Sequence, residues 1–259
     1  MDARWENAKQ EATGIATILK KHDIADGTIL DLMCGNGRIA IHLAKQGYNV
    51  VGVDISPLYI KEAKKQAEEY EVANATEFVR GDVRNLRDLL QDQQDFDAVV
   101  NVWTSIGYFE KDVEMSLFKT LRDFLPEEGC LLIADAKSKE WLVSKQSSFR
   151  TKSYEVFDDL LLMVNSMYNP CSSKMKMRWA FYRKEEGTLQ HLATLPLNFR
   201  VYSIEGIHSL LTEAGWKVLE FYESLENPTA YEPETIPKPI PINLIAKNES
   251  IRPESDLPE

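Results

Sequence analysis

Cysteine and positive charge are both scarce in this chain. It has three cysteines, Cys34, Cys130 and Cys171, and an odd number at wide spacing fits neither a disulfide framework nor a zinc ribbon. Lys and Arg total 30 against 41 Asp and Glu, so the net charge is −11 and the protein repels phosphate backbones and anionic lipids on average. The sequence contains no N-terminal signal and no apolar run long enough to cross a bilayer. These absences predict a reduced, cytoplasmic protein whose partner is neither a nucleic acid nor a membrane.

The order of apolar patterns predicts the fold. Up to about residue 136, apolar strands alternate with helical patterns, which predicts right-handed βαβ units and a parallel sheet. Residues 141–201 have a strand-like, turn-rich pattern that predicts an antiparallel insertion. We therefore predict an α/β protein with a Rossmann-like, seven-stranded sheet, six strands parallel and one antiparallel, with helices on both faces. Residues 1–140 and 202–248 would form this core, residues 141–201 would cover its site, and residues 249–259 would be a loose tail.

The stretch ILDLMCGNGRIAIHLA (residues 29–44) is typical of a strand, a turn and a helix that together bind a ligand. Gly35 and Gly37 carry no Cβ atom that would keep a ligand away from the backbone. The helix that starts near Arg38 points unpaired N–H groups at the turn. Asp54 follows at the end of the second strand, where a carboxylate can accept both hydroxyls of a ribose. The pattern indicates a cofactor that contains a ribose.

Two cofactors fit this turn. Gly35, Gly37 and Ala40 satisfy the G-x-G-x-x-G/A pattern of dinucleotide sites, so NAD is one interpretation. Asp31, inside the first strand, would face a pyrophosphate unfavourably, whereas it would attract the ammonium and sulfonium groups of S-adenosylmethionine. Asp82 ends the third strand in GDV, where a carboxylate can accept the adenine amino group. The three acids therefore favour S-adenosylmethionine.

Four segments resemble the class I S-adenosylmethionine-dependent methyltransferases, namely ILDLMCGNGRIAIHLA, VVGVDIS, GDVRNL and DAVVNVWTSIGYF. The resemblance covers about residues 28–136 and resumes in NFRVYSIEGIHSLLTEAGWKVLEFY. It implies an enzyme that binds S-adenosylmethionine at the glycine turn and at the ends of the second, third and fourth strands. Asp31 is added to these from the charge argument above. The predicted cofactor-binding residues are then Asp31, Gly35, Gly37, Asp54, Ile55, Asp82, Val83, Asn101, Val102 and Trp103.

The segment VWTSIGYF and the antiparallel insertion resemble the small-molecule branch of that family, which includes amino-sugar N-methyltransferases and glycine or sarcosine methyltransferases. Methyl transfer needs no metal and no covalent nucleophile, because the protein mainly positions and desolvates the reactants. Trp103 and Tyr108 are candidates for an aromatic wall beside the sulfonium. Tyr108 and, in the insertion, His191 are the candidate catalytic residues. Basic and aromatic residues of the insertion, among them Arg178 and Trp179, indicate a polar or anionic organic substrate.

We therefore predict methyl transfer to a nitrogen or an oxygen of a small-molecule acceptor, without a metal. Three alternatives stay open at this point. They are an NAD-dependent oxidoreductase, an RNA methyltransferase, and a non-catalytic binding module with a methyltransferase-like fold.

Overall fold

The computed structural model describes residues 5–91, 95–145, 150–232, 234 and 238–249. Within these residues the chain forms seven α-helices and eleven β-strands. The helices are α1 (Trp5–Lys21), α2 (Arg38–Ala44), α3 (Pro57–Glu69), α4 (Leu86–Leu89), α5 (Lys111–Leu121), α6 (Lys139–Lys145) and α7 (Ile204–Glu213). The strands are β1 (Gly27–Leu32), β2 (Tyr48–Asp54), β3 (Thr76–Arg80), β4 (Ala98–Val102), β5 (Cys130–Ala136), β6 (Arg150–Phe157), β7 (Leu160–Asn169), β8 (Lys174–Glu185), β9 (Thr188–Arg200), β10 (Trp216–Phe221) and β11 (Ile242–Asn248).

The larger sheet has seven strands in the order β3-β2-β1-β4-β5-β11-β10. The pairs β3–β2, β2–β1, β1–β4 and β4–β5 are parallel. Strand β11 is antiparallel to both of its neighbours, β5 and β10, so six strands run one way and β11 runs against them. The predicted fold class, with six parallel strands and one antiparallel strand near the C-terminus, is confirmed.

Helices cover both faces of this sheet because consecutive strand residues alternate between two apolar cores. Ile29 of β1 packs in the core that holds the buried residues of α1, α2 and α3. Leu30, the next residue, packs in the core that holds those of α5 and α7. The parallel strands therefore lie between two layers, and only their ends are available for a ligand.

The smaller sheet has four antiparallel strands in the order β6-β7-β8-β9. Glu186 and Gly187 form the hairpin turn between β8 and β9, where Glu185 pairs with Thr188. Residues paired across antiparallel strands share a face, so the register assigns each side chain to one of two faces. We call inner the face that packs against Leu142 of α6; among its residues are Val164, Tyr168, Met175, Met177, Trp179, Leu195 and Phe199. We call outer the opposite face; among its residues are Arg150, Lys152, Tyr154, Lys176, Arg178, Tyr182 and His191.

Helix α6 is absent from the predictions, which treat the chain from residue 141 onward as strand-like. It forms where Leu142 becomes buried against the inner face. The proposed division of the chain at residues 140 and 202 stays a prediction, and the predicted tail lies outside the described residues except for Glu249. Within the described part of the chain, none of the helices combines the length and apolar character that a membrane span requires.

Candidate active site

The carboxyl ends of four adjacent strands bring the predicted cofactor-binding residues to one edge of the large sheet. Asp31 of β1 pairs with Gly52 of β2 on one side and with Val100 of β4 on the other. Asp54 is the last residue of β2, and Asn101 lies near the end of β4. Asp82 follows β3 on the outer side of β2. In open parallel sheets a ligand binds along this edge.

Asp54 holds the glycine turn in place. One carboxylate oxygen, Oδ2, accepts a hydrogen bond from the Gly35 amide at 2.9 Å, and the other, Oδ1, accepts one from the Ser56 amide at 2.8 Å. Each carboxylate oxygen has a second lone pair, so both retain capacity for a hydroxyl donor. The geometry therefore fits the predicted ribose role, and it adds a structural role in joining β2 to the turn.

Packing within the fold requires a glycine at position 37. Its φ is 76°, and a Cβ atom there would lie 2.8 Å from the Phe78 ring and 2.9 Å from the Ala63 Cβ. The sequence predicts that both glycines of the turn make room for a ligand. At Gly37 the neighbouring strand and helix already require the missing side chain, because real Cβ atoms do not approach so closely.

Asp31 is a buried acid with an unused oxygen. It is 3% exposed, and its Oδ2 atom has no hydrogen-bond partner among the described residues. Burial raises the pKa of Asp31 to about 7, and the Asp54 carboxylate adds to the rise, whereas Arg38 opposes it. A cation at this position would be favourable because it would compensate the buried charge. This fits the ammonium of S-adenosylmethionine and disfavours the pyrophosphate of NAD.

Arg38 connects the N-terminal helix to the turn. Its guanidinium pairs with the Glu11 carboxylate of α1, and both side chains are mostly buried. Arg38 is the first residue of α2, directly after Gly37. A buried charge is costly without a partner, so the Glu11 carboxylate stabilises the Arg38 guanidinium. Arg38 in turn lowers the pKa of Asp31, against the effect of burial.

Asp82 is paired in this structure. Its carboxylate accepts hydrogen bonds from the Arg84 amide and from the Arg84 guanidinium, and these bonds lower its pKa. Arg84 also lies over the Phe109 ring, 5.4 Å from its centroid. Val83 is buried next to it. An adenine amino group that donates to the Asp82 carboxylate would therefore share that carboxylate with Arg84, which already orients it.

The backbone is strained directly after β1 and directly after β4, and hydrogen bonds connect these two segments. Met33 and Trp103, the residues that follow these strands, have φ values of 60° and 65°. Such left-handed conformations are costly for large side chains and concentrate at functional sites. Asn101 is buried; its side-chain amide donates to the Ser105 carbonyl at 3.0 Å, and its Oδ1 has no partner among the described residues. Ser105 in turn donates to the Met33 carbonyl at 3.4 Å.

The inner face of the small sheet covers this exit with aromatic rings. The Trp103 and Trp179 ring centroids are 6.4 Å apart, and those of Tyr108 and Phe199 are 6.2 Å apart. Tyr108 is 40% exposed and lies near Tyr59; burial raises the pKa of Tyr59, and the charges of Asp54 and Tyr108 add to the rise. Ile55, the residue after Asp54, is exposed on the same side. Tyr108 thus lies at the mouth of the crevice, whereas Val102 is buried below it.

A buried acid joins the β4 exit loop to the small sheet. Glu114 of α5 is 2% exposed and accepts hydrogen bonds from the Gly107 amide and the Tyr202 hydroxyl. The Gly107 carbonyl accepts one from the Arg200 amide at 2.7 Å, at the end of β9. Gly107 has a φ of 90°, and a Cβ atom there would lie 2.1 Å from the Arg200 carbonyl oxygen. The loop that carries Tyr108 is therefore fixed to the last strand of the small sheet.

The structure does not bring His191 to the crevice. His191 pairs with Tyr182 on the outer face, its ring contacts Tyr182, and its Nε2 lies 2.8 Å from the Thr194 hydroxyl. Trp179 is three residues from Tyr182 and so faces the other side. His191 consequently takes no part in the mechanism that we propose below. The basic residue Arg178 is also on the outer face, away from the crevice.

One candidate residue was missed in the sequence. Asp135, near the end of β5, lies beside the β4 exit, because the Trp103 amide donates to the carbonyl of Ala134 at 2.7 Å. Asp135 is the acid in the stretch CLLIADA (residues 130–136). The reasoning that selects Asp54 and Asp82, an acid at the end of a central strand, applies equally to Asp135.

The comparisons with known proteins agree with this geometry. The family model described as a methyltransferase domain matches residues 29–129. The chain carries a methyltransferase domain. This match confirms the predicted class I methyltransferase and the predicted enzyme, and it agrees with S-adenosylmethionine as the cofactor. A glycine/sarcosine N-methyltransferase of Parasynechococcus marenigrum is 25% identical over 243 residues, which are 88% of this chain and 79% of that protein.

Solved structures confirm the fold around the methyltransferase domain. An S-adenosylmethionine-dependent methyltransferase from Clostridium acetobutylicum has a TM-score of 0.76 at 17% identity and covers 93% of this chain and 92% of its own. An amino pentose methyltransferase from Micromonospora echinaspora, solved with S-adenosylmethionine, has a TM-score of 0.69 at 13% identity over 93% of this chain and 91% of its own. Because both likenesses extend over nearly the whole chain, the small sheet is part of the shared fold.

Proposed function

We propose that this protein transfers the methyl group of S-adenosylmethionine to an amine nitrogen of a small organic molecule. The observation that carries the proposal is the aromatic cover of the β4 exit, where Trp179 and Phe199 of the small sheet meet Trp103 and Tyr108. A cover of this kind excludes water, which strengthens electrostatic interactions inside the site, and it suits a small acceptor.

Each cofactor-binding residue has a separate role in this proposal. S-adenosylmethionine supplies an electrophilic methyl group on a sulfonium. Asp31 holds the cofactor's ammonium, Asp54 accepts its ribose hydroxyls, and Asp82 with the Val83 amide recognises the adenine. Trp103 places an aromatic ring beside the sulfonium. Tyr108 closes the mouth of the crevice.

The location of the histidines favours an amine over a hydroxyl acceptor. An amine becomes a nucleophile by losing one proton at ordinary pH, whereas a hydroxyl depends more on a general base, most often histidine, positioned at the reacting atom. All four histidines lie away from the crevice. His22 contacts Tyr222, His42 packs on Trp5 and Tyr70, His191 is on the outer face, and His208 is exposed on α7. The amino pentose and glycine/sarcosine methyltransferases among the similar proteins support a nitrogen acceptor.

The distribution of charge argues against RNA as the acceptor. Four cations of the small sheet, Arg150, Lys152, Lys176 and Arg178, lie on the outer face, opposite to the face that covers the site. An RNA substrate would need its phosphates contacted next to the crevice. A steep fall of RNA binding with salt, lost when residues beside the crevice are changed, would support the RNA alternative instead.

A calorimetric titration with S-adenosylhomocysteine, with NAD in parallel, tests the cofactor. We expect saturable binding of S-adenosylhomocysteine alone. Release of S-adenosylhomocysteine from S-adenosylmethionine is then measured with glycine, sarcosine and a nucleotide-linked aminodeoxy sugar as nitrogen acceptors and a catechol as the oxygen acceptor. Turnover with an amine and none with the catechol supports the proposal. Turnover with the catechol alone would contradict the nitrogen assignment, and NAD binding alone would contradict the cofactor.

Replacing Trp103 with glycine is expected to weaken S-adenosylmethionine binding more than S-adenosylhomocysteine binding. Glycine adopts the φ of 65° without strain, so this variant removes the ring and keeps the backbone. The sulfonium interaction with the ring is worth roughly 1–2 kcal/mol, so we expect about a tenfold loss for the charged cofactor. Titration of both ligands, with Trp103→Phe as the control that keeps a ring, gives the ratio. An equal loss for both ligands would show that the ring only packs.

A further inference from the structure

Strand β5 ends in a bulge at the edge of the active site. In its pairing with β11, Ala136 is opposite Ile242 and Ile133 is opposite Leu244. Ala134 and Asp135 therefore share Asn243 as their single counterpart. Asp135 has a φ of 51°, which is uncommon for a residue other than glycine. Bulges next to active sites turn a side chain away from its regular direction.

A buried side chain holds this bulge from the neighbouring strand. Asn243 is 1% exposed, and its Oδ1 accepts a hydrogen bond from the Asp135 amide at 2.7 Å. Its own carbonyl accepts one from the amide of Tyr222, the residue after β10, at 2.7 Å, so the asparagine is itself anchored to the end of that strand. The strained conformation of Asp135 is therefore maintained by specific contacts. Strain that is maintained in this way is typical of functional positions.

The bulge places a second carboxylate on the other side of the β4 exit from Asp31. The strand order is β1-β4-β5, with Asp31 on β1, Trp103 after β4 and Asp135 on β5. Asp135 is partly exposed, whereas Asp31 is buried. Just beyond Asp135 the chain leaves the core for α6 and the small sheet. Asp135 thus lies between the cofactor side of the crevice and the sheet that covers the acceptor.

We propose that the Asp135 carboxylate binds the ammonium form of the acceptor and takes its proton. This inference rests on the proposed function. The proton moves from the acceptor nitrogen to the carboxylate, the nitrogen lone pair forms the new N–C bond, and the broken C–S bond leaves its electron pair on sulfur. The product is a methylated ammonium, and the proton on Asp135 passes to solvent. The role explains how an amine is activated at a site without a histidine.

Sinefungin tests this role without knowledge of the acceptor. In this analogue of S-adenosylmethionine an amine-bearing carbon replaces the methylsulfonium, so its ammonium extends toward the position of the acceptor nitrogen. We expect the wild-type protein to bind sinefungin more tightly than S-adenosylhomocysteine in calorimetric titrations at pH 7.5. In Asp135→Asn, sinefungin affinity is expected to fall tenfold or more, with S-adenosylhomocysteine affinity changed less than twofold. Asp26→Asn, an exposed acid at the opposite end of β1, is the matched control and is expected to change neither.

The outcomes separate the two proposals. An Asp135→Asn protein that keeps the preference for sinefungin, or a wild-type protein that shows no preference, overturns the role of Asp135 and leaves the cofactor assignment intact. A wild-type protein that binds neither ligand overturns the cofactor part of the proposed function, and this inference with it. Thermal unfolding of each variant confirms that it is folded, since asparagine retains the size of aspartate and its backbone amide.

Discussion

Replacing Asp31 with asparagine is expected to stabilise the ligand-free protein and to weaken its binding of S-adenosylhomocysteine. The carboxyl is fully buried, and burial raises its pKa to about 7 from an ordinary value of 3.8. Ionising it in the folded state therefore costs up to about 4 kcal/mol above pH 7, which the neutral amide avoids. In the proposed function the same carboxylate binds the cofactor's ammonium, and removing one partner of a buried pair weakens binding by roughly 100-fold.

The pH dependence of stability has a definite direction. The unfolded chain loses the Asp31 proton near pH 3.8, whereas the folded protein keeps it up to about pH 7. Between these values the folded state binds more protons, so the contribution of Asp31 to the free energy of unfolding falls as the pH rises. Urea unfolding at pH 5 and at pH 8 measures it for the wild type and for Asp31→Asn. The difference between the two proteins should grow from about 2 kcal/mol at pH 5 to about 4 kcal/mol at pH 8.

Ligand binding should show the opposite trend with pH. The carboxylate form binds the ammonium, so wild-type affinity for S-adenosylhomocysteine is expected to rise as the pH increases toward 7. Binding below pH 7 should release a proton, detectable as a dependence of the calorimetric enthalpy on the ionisation enthalpy of the buffer. In Asp31→Asn this dependence is expected to disappear. Unchanged affinity and unchanged proton release in that variant would contradict the assignment of Asp31 to the ammonium.

Replacing Asp54 with alanine is expected to reduce S-adenosylhomocysteine affinity at least 100-fold. Its carboxylate holds the Gly35 and Ser56 amides at 2.9 and 2.8 Å, so alanine removes the ribose acceptor and two bonds that shape the turn. Two charge-assisted hydrogen bonds to the ribose account for about 3 kcal/mol. Calorimetric titration measures the change.

Asp82→Asn is the matched comparison for Asp54. Arg84 pairs with Asp82 at the surface, so exchanging its carboxylate for an amide should cost about tenfold or less. Affinities for Asp54→Ala within twofold of wild type would remove Asp54 from the ribose site. An additional variant, Asp54→Asn, keeps one acceptor oxygen and is expected to fall between wild type and alanine.

Most of the fold and of the cofactor site could be predicted from the sequence. The alternation of strands and helices, the reversal near the C-terminus and the antiparallel insertion all depend on local periodicity, which is readable without tertiary structure. The acids at the strand ends were identifiable because parallel strands place their carboxyl ends together. Helix α6 was missed, since its formation depends on burial of Leu142 against a sheet that lies later in the chain.

The acceptor side of the site was predicted less well. Trp103 could be identified from its position directly after β4. Its contact with Trp179 depends on the pairing of β7, β8 and β9, and the same pairing places His191 and Arg178 on the outer face. A change of register by one residue would exchange the two faces, so the single sequence could not assign them.

The sequence by itself determined the kind of protein this is. Glycine-turn chemistry, the acids Asp31, Asp54 and Asp82, and the order of apolar segments depend on residues close together in the chain. Only the tertiary structure decided which residues cover the β4 exit, where we propose that the acceptor binds. The inner face of the small sheet reaches Trp103 through strand register, and the bulge at Asp135 depends on Asn243, 108 residues away. Contacts of that range are set by packing of whole strands, and no local pattern encodes them.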